Sequence, residues 1–117
     1  MSTNTATIER YFDGFRRSDH AMILACLTDD VEWVIPGMVH LHGKQAFDGE
    51  IENPAFKGSP TLTNTRIVEG DNVVFVEGAV EGMRADDTSF RAVYCDVFDM
   101  RDGLIRRLTS YLMQLPT

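Results

Sequence analysis

The chain has 117 residues, room for one domain and little more. Hydrophobic residues make up 44% and charged residues 25%, a globular balance that excludes a disordered chain. Eleven Lys and Arg against eighteen Asp and Glu leave a net charge of −7, and no basic cluster offsets it, which excludes nucleic acid and anionic membrane as partners.

Met1 to Thr7 is small and polar, with no basic stretch leading into an apolar one, and no segment approaches the roughly 18 apolar residues of a membrane span. Cys26 and Cys95 stand far apart and outside any C-x-x-C pattern, so they read as buried free thiols in a reducing compartment. A cytoplasmic protein of one domain, residues 1–117, is expected.

Ile8, Tyr11, Phe12 and Phe15 recur at helical spacing and predict an amphipathic helix over residues 4–17. Ser18-Asp19 can cap a second helix that starts near His20, carries Met22, Ile23, Ala25, Cys26 and Leu27, and ends before Asp29-Asp30. Residues 31–35 predict a short strand closed by Pro36-Gly37. Residues 44–52 predict a third helix, stopped by Asn53-Pro54. Beyond it the pattern turns to strands at 61–69, 73–83, 90–100 and 104–115. Gly70-Asp71-Asn72, the polar stretch 84–88 and Asp102-Gly103 form the turns between them. Short helices followed by a meander of long strands predict an α+β fold with a curved antiparallel sheet, not alternating βαβ units.

Strand alternation sorts the residues further. If Asp96 points inward, then Ala92, Tyr94, Phe98 and Met100 do so too, and a turn centred on Gly103 places Ser110 opposite Asp96, with Leu108 and Leu112 on the same face. Val74, Val76, Gly78 and Val80 extend that surface, and Val31, Trp33 and Ile35 reach it from the first strand. The expected ligand pocket is therefore Phe15, Trp33, Ile35, Val76, Val80, Tyr94, Phe98, Leu108, Ser110 and Leu112, an apolar lining with few polar points. On the opposite face Val93, Cys95, Val97, Thr109 and Tyr111 form an apolar stripe flanked by Glu77, Glu81, Arg91 and Arg107. No element remains to cover it, so a homodimer through this outer sheet face is expected.

The order of elements, with V-E-W-V-I-P-G after the second helix and Y-C-D-V-F-D-M-R-D-G-L-I near the end, resembles the nuclear transport factor 2-like superfamily, and within it the SnoaL-like and ketosteroid-isomerase-like branch. The resemblance runs from Ile8 to Leu115. It implies a cone: a bent sheet wrapped around three N-terminal helices, open at one end to a pocket. By resemblance, Tyr11 stands where ketosteroid isomerases carry a tyrosine donor, and Asp96 where they carry a protonated aspartic acid. Their general base falls at Trp33. The last-strand aspartate of the epoxide-hydrolase and cyclase relatives falls at Ser110, and the hydrolase Arg and Asp of the middle strand fall at Gly78 and Val80.

Burying an ionised Asp96 in an apolar lining costs several kcal/mol of solvation, so a neutral carboxyl that donates, with Tyr11, to a ligand carbonyl is expected. The alternative is that Asp96 accepts a bond from Tyr11, Tyr94 or Ser110 and fixes the sheet. His40 and His42, two apart in an extended segment near the pocket mouth, are the remaining candidates for the base. H-x-H supplies only two metal ligands, and the sequence shows no third at a recognisable spacing, so neither metal nor cofactor is expected. The expected activity is isomerase, cyclase or dehydratase chemistry by proton transfer on a small hydrophobic carbonyl compound. The alternatives are a dimeric module that binds such a ligand without chemistry, and a structural dimer whose cavity is filled.

Overall fold

The computed structural model describes residues 2–51 and 56–116. Helix α1 spans Thr3–Arg16, with Ser2 as its N-cap: the Ser2 hydroxyl accepts from the Thr5 amide at 3.1 Å. Its buried face is Thr7, Ile8, Tyr11 and Phe12, the helical spacing seen in the sequence. Helix α2 (His20–Leu24) is capped by Asp19, which accepts from the Met22 amide. A side chain on Gly14 would put its Cβ 2.7 Å from Ile23, so the close crossing of α1 and α2 requires a glycine there.

α2 is shorter than its apolar pattern predicts. The backbone leaves the helix at Ala25, and Leu27 already belongs to strand β1 (Leu27–Ile35). Non-local pairing decides this: Leu27 aligns with Ile105, and the Ile105 amide donates to the Cys26 carbonyl at 2.8 Å. A hairpin partner, β2 (Val39–His42), follows, then α3 (Lys44–Ile51). The expected stop of α3 at Asn53-Pro54 lies outside the described residues. Four long strands complete the chain: β3 (Phe56–Gly70), β4 (Val73–Arg84), β5 (Ser89–Arg101) and β6 (Leu104–Gln114).

The sheet runs in the order β2-β1-β6-β5-β4-β3. The meander β3 to β6 is antiparallel, as expected, but β1 pairs with β6 in parallel, so the sheet is mixed. β2 and α3 separate β1 from the meander, which starts at the far edge of the sheet with β3 and ends with β6 beside β1. Asp102 and Gly103 both take positive φ (53° and 78°), the conformation of a two-residue hairpin turn that Asp-Gly favours. That turn sets the β5–β6 register, and Asp96 aligns with Ser110. It also receives the start of α1: the Thr7 hydroxyl donates to the Gly103 carbonyl at 2.6 Å.

α1 packs on the inner face of the sheet through aromatic edges. Tyr11 meets Phe98 with ring centroids 5.3 Å apart, and Phe12 lies 5.9 Å from Phe98 and 6.4 Å from Tyr94. Phe47 of α3 stacks on Trp33 of β1 at 4.6 Å. Ile8, Ile23, Phe47, Val74, Val76, Phe98, Ile105 and Leu108 are fully buried, each contributing roughly 1.5–3 kcal/mol relative to exposure. The result is the α+β cone: three helices against one strongly curved sheet.

Candidate functional site

Between α1, α3 and the inner face of the sheet lies a cavity of about 270 Å³. It is lined by Tyr11 and Phe15 from α1, Trp33 and Ile35 from β1, Val80 from β4, Tyr94 and Asp96 from β5, and Leu108, Ser110 and Leu112 from β6. Strand alternation predicts this set because each of these strands turns every second residue inward. Two expected lining residues are absent. Val76 and Phe98 are fully buried in a layer behind the cavity, where the rings of Tyr11 and Phe12 cover Phe98. Phe12, Glu50, Ile51, Pro60, Leu62 and Phe90 line the cavity without having been expected there.

Asp96 is 9% exposed, the one buried carboxyl among the described residues. Burial pushes its pKa up from 3.8 to about 7, against the opposing pull of a hydrogen bond with Ser110. Ser110 is shared, since the Trp33 indole N–H donates to its hydroxyl at 3.2 Å. Tyr11, 3% exposed, has its phenol pKa raised, first by burial and then by the charge of Asp96. Tyr94 points across β4: its hydroxyl donates to Asn64 Oδ1 at 2.6 Å, and burial pushes its pKa up to about 12. Gly78 makes this path, because a Cβ there would sit 2.5 Å from the Tyr94 ring. Tyr94 is thus committed to β3, while the Tyr11 hydroxyl donates no hydrogen bond within the described residues and faces a cavity that also holds Asp96.

The structure does not bring His40 and His42 to this cavity. They lie on β2, where His42 aligns with Glu32 and His40 with Val34. Trp33 and Ile35 face inward, so Glu32, Val34 and both histidines face outward, and the histidines are exposed. The sequence shows their shared direction but not its sense, which the β1–β2 register fixes. Glu50 of α3 is the second carboxyl on the lining; no sequence signal marks it, since the inward face of so short a helix is set by docking. Cys95 is half-buried, not buried, and both cysteines are free.

Chemically, the cavity offers an apolar slot for a small molecule and, at one wall, a phenol beside a carboxyl that is part-protonated near neutral pH. No helix among the described residues is long and apolar enough to cross a membrane. No curated protein matches this chain.

Solved structures share the fold. An NTF2-like protein of unknown function from Burkholderia pseudomallei superposes with a TM-score of 0.90 at 21% identity, over 97% of this chain and 92% of that one. TerC co-crystallized with polyporic acid gives a TM-score of 0.87 at 25% identity, over 96% and 92%. A putative polyketide cyclase from Xanthomonas campestris gives 0.83 at 24% identity, over 93% and 89%. The SnoaL-like domain model matches residues 8–108, from the first buried isoleucine of α1 to the cavity leucine of β6. The chain shares its fold with NTF2-like proteins and belongs to the SnoaL-like domain family.

Proposed function

We propose that the cavity takes up a small, largely apolar carbonyl compound and that Asp96 and Tyr11 move a proton on it without a cofactor. The observation that carries this reading is Asp96: a carboxyl buried in an apolar cavity with its pKa pushed up to about 7, matched to proton transfer near neutral pH. In its ionised form Asp96 accepts a proton from the carbon next to the carbonyl, while the Tyr11 hydroxyl hydrogen-bonds to the enolate oxygen. Return of that proton from Asp96 to another carbon of the enolate completes an isomerisation. His40 and His42 face outward, and of the two carboxyls on the lining, Asp96 and Glu50, Asp96 is the buried one and takes the base role. TerC, of the same fold, was co-crystallized with an organic molecule, polyporic acid, which supports a ligand-holding cavity.

A second reading is a module that binds the same ligand class and does no chemistry. It is favoured by Trp33 and Ser110, which stand at two positions where relatives are expected to carry carboxylates and are hydrogen-bonded to each other. One experiment separates the two. Trp33 is the only tryptophan and lines the cavity, so its fluorescence reports ligand entry. Small enolisable ketones are screened this way, and those that bind are followed by NMR for deuterium uptake at the α-carbon in D2O. Catalysed uptake that Asp96→Asn abolishes while binding persists supports the enzyme; binding without uptake leaves the module; no binding refutes both.

We further propose a two-fold homodimer through the outer sheet face. Tyr111 and Met113 on β6 are 54% and 68% exposed, and Phe75 and Val93 are exposed beside them. Val93 aligns with Met113 and Cys95 with Tyr111, giving a continuous apolar surface of the kind that a second copy covers. The free thiols of Cys26 and Cys95 support a cytoplasmic setting.

A further inference from the structure

On the face of the sheet away from the cavity, β1 and β2 place three metal-ligating side chains together. Glu32 and His42 are direct cross-strand partners, and His40 follows two residues away on the same face. His40 Nε2 lies 2.8 Å from Glu32 Oε2, and His42 Nδ1 lies 4.0 Å from the same oxygen. The two imidazoles sit side by side, with centroids 4.5 Å apart and planes 33° apart. One ligand atom from each of the three residues falls within 4.8 Å of the other two. H-x-H supplies two ligands of a site, and the third comes from a strand eight residues earlier, where only the hairpin register reveals it.

We propose that Glu32, His40 and His42 form a binding site for a divalent transition-metal ion of the zinc, nickel or copper type. Two imidazole nitrogens and one carboxylate suit such ions, whereas magnesium and calcium require oxygen ligands throughout. Bonds of about 2.0–2.1 Å to a tetrahedral zinc set its donors roughly 3.3 Å apart. The separations of 2.8 and 4.0 Å bracket that value, so small rotations of exposed side chains close the site. The scaffold is already ordered, because both ligand-bearing strands are paired in register. Arg107, level with Glu32 on β6, is a cation of the neighbouring strand that competes for the Glu32 carboxylate.

β2 is an edge strand that pairs with β1 alone in the sheet, so an ion here ties the edge of the sheet down. With three protein ligands, water completes the coordination and the ion stays exchangeable. The cavity and Asp96 lie on the other face, and neither proposal depends on the other.

The test is calorimetric titration of zinc chloride into the full chain carrying no polyhistidine tag, with magnesium chloride as the control ion. One zinc per chain is expected and no magnesium, with affinity falling at least ~10-fold in each of His40→Ala, His42→Ala and Glu32→Ala. His20→Ala, which removes the third histidine of the chain, leaves binding unchanged. On the wild-type chain, zinc shifts the imidazole C–H resonances of His40 and His42 and not those of His20, a readout that does not depend on any variant folding. Absence of saturable zinc binding, survival of binding in the His40→Ala His42→Ala double variant, or an unchanged affinity in Glu32→Ala overturns the proposal.

Discussion

Replacing Asp96 by asparagine keeps the shape of the side chain and its ability to hydrogen-bond with Ser110, but removes the charge. In the folded chain the Asp96 pKa rises from 3.8 to about 7 because burial penalises the carboxylate. A raised carboxyl pKa makes the unfolded state the better place to ionise. Below pH 3.8 both states hold the proton and Asp96 imposes no penalty. As pH rises toward 7 the unfolded chain has lost its proton while the folded chain keeps it, and stability falls by about 1.36 kcal/mol per pH unit. Above that pH the penalty is complete. With these pKa values, the Asp96 contribution is about 2 kcal/mol of destabilisation at pH 5 and about 4 kcal/mol at pH 8. Urea unfolding of wild type and Asp96→Asn at both pH values measures it, and the difference between the two proteins cancels every other titrating group. Asp96→Asn is expected to gain stability over wild type on going from pH 5 to pH 8, by about 2 kcal/mol. An unchanged difference between the two pH values refutes a buried carboxyl of raised pKa, and the proton-transfer chemistry built on it.

Gly78→Ala puts a Cβ 2.5 Å from the Tyr94 ring and 2.6 Å from the Thr63 carbonyl oxygen, so the ring must leave Asn64; a loss of about 1–3 kcal/mol is expected in urea unfolding. Gly49→Ala in α3, where the added methyl meets nothing, is the comparator and gains up to about 1 kcal/mol; equal stability of the two variants contradicts the packing argument. Tyr111→Arg places a charge in the middle of the exposed outer-face stripe and is expected to convert a dimer to a monomer by light scattering, with the circular dichroism of wild type; a wild-type chain that is already monomeric removes the dimer.

The parts of the fold legible in the sequence are those fixed by local chemistry. Asp102-Gly103 admits the two positive φ values of a tight hairpin, and once that turn is placed, simple counting sets Asp96 against Ser110. Period-two alternation then carries the inner face along β4, β5 and β6. What could not be read depends on contacts between distant segments. Ala25, Cys26 and Leu27 continue an apolar helical pattern, and only the parallel pairing of Leu27 with Ile105 shows that the helix has already ended. The direction of His40 and His42 follows from a hairpin whose second strand was expected only as extended chain. Glu50 reaches the cavity because Phe47, one turn earlier on α3, stacks on Trp33 and sets the roll of the helix.

Trp33 links these observations. Its indole ring turns inward by β1 alternation, stacks on Phe47 and so docks α3, and its N–H fixes the Ser110 hydroxyl. A carboxylate at position 33 or 110 would stand beside Asp96, and two neighbouring carboxylates drive one pKa up and the other down. With Trp33 and Ser110 there instead, the Asp96 shift is set by burial, offset by a single hydroxyl. The residues at the two relative-like carboxylate positions are therefore what leave one buried acid to titrate alone near neutral pH. The proposed proton chemistry therefore uses the buried carboxyl of Asp96 in both directions, with Tyr11 on the same cavity to hold the oxygen.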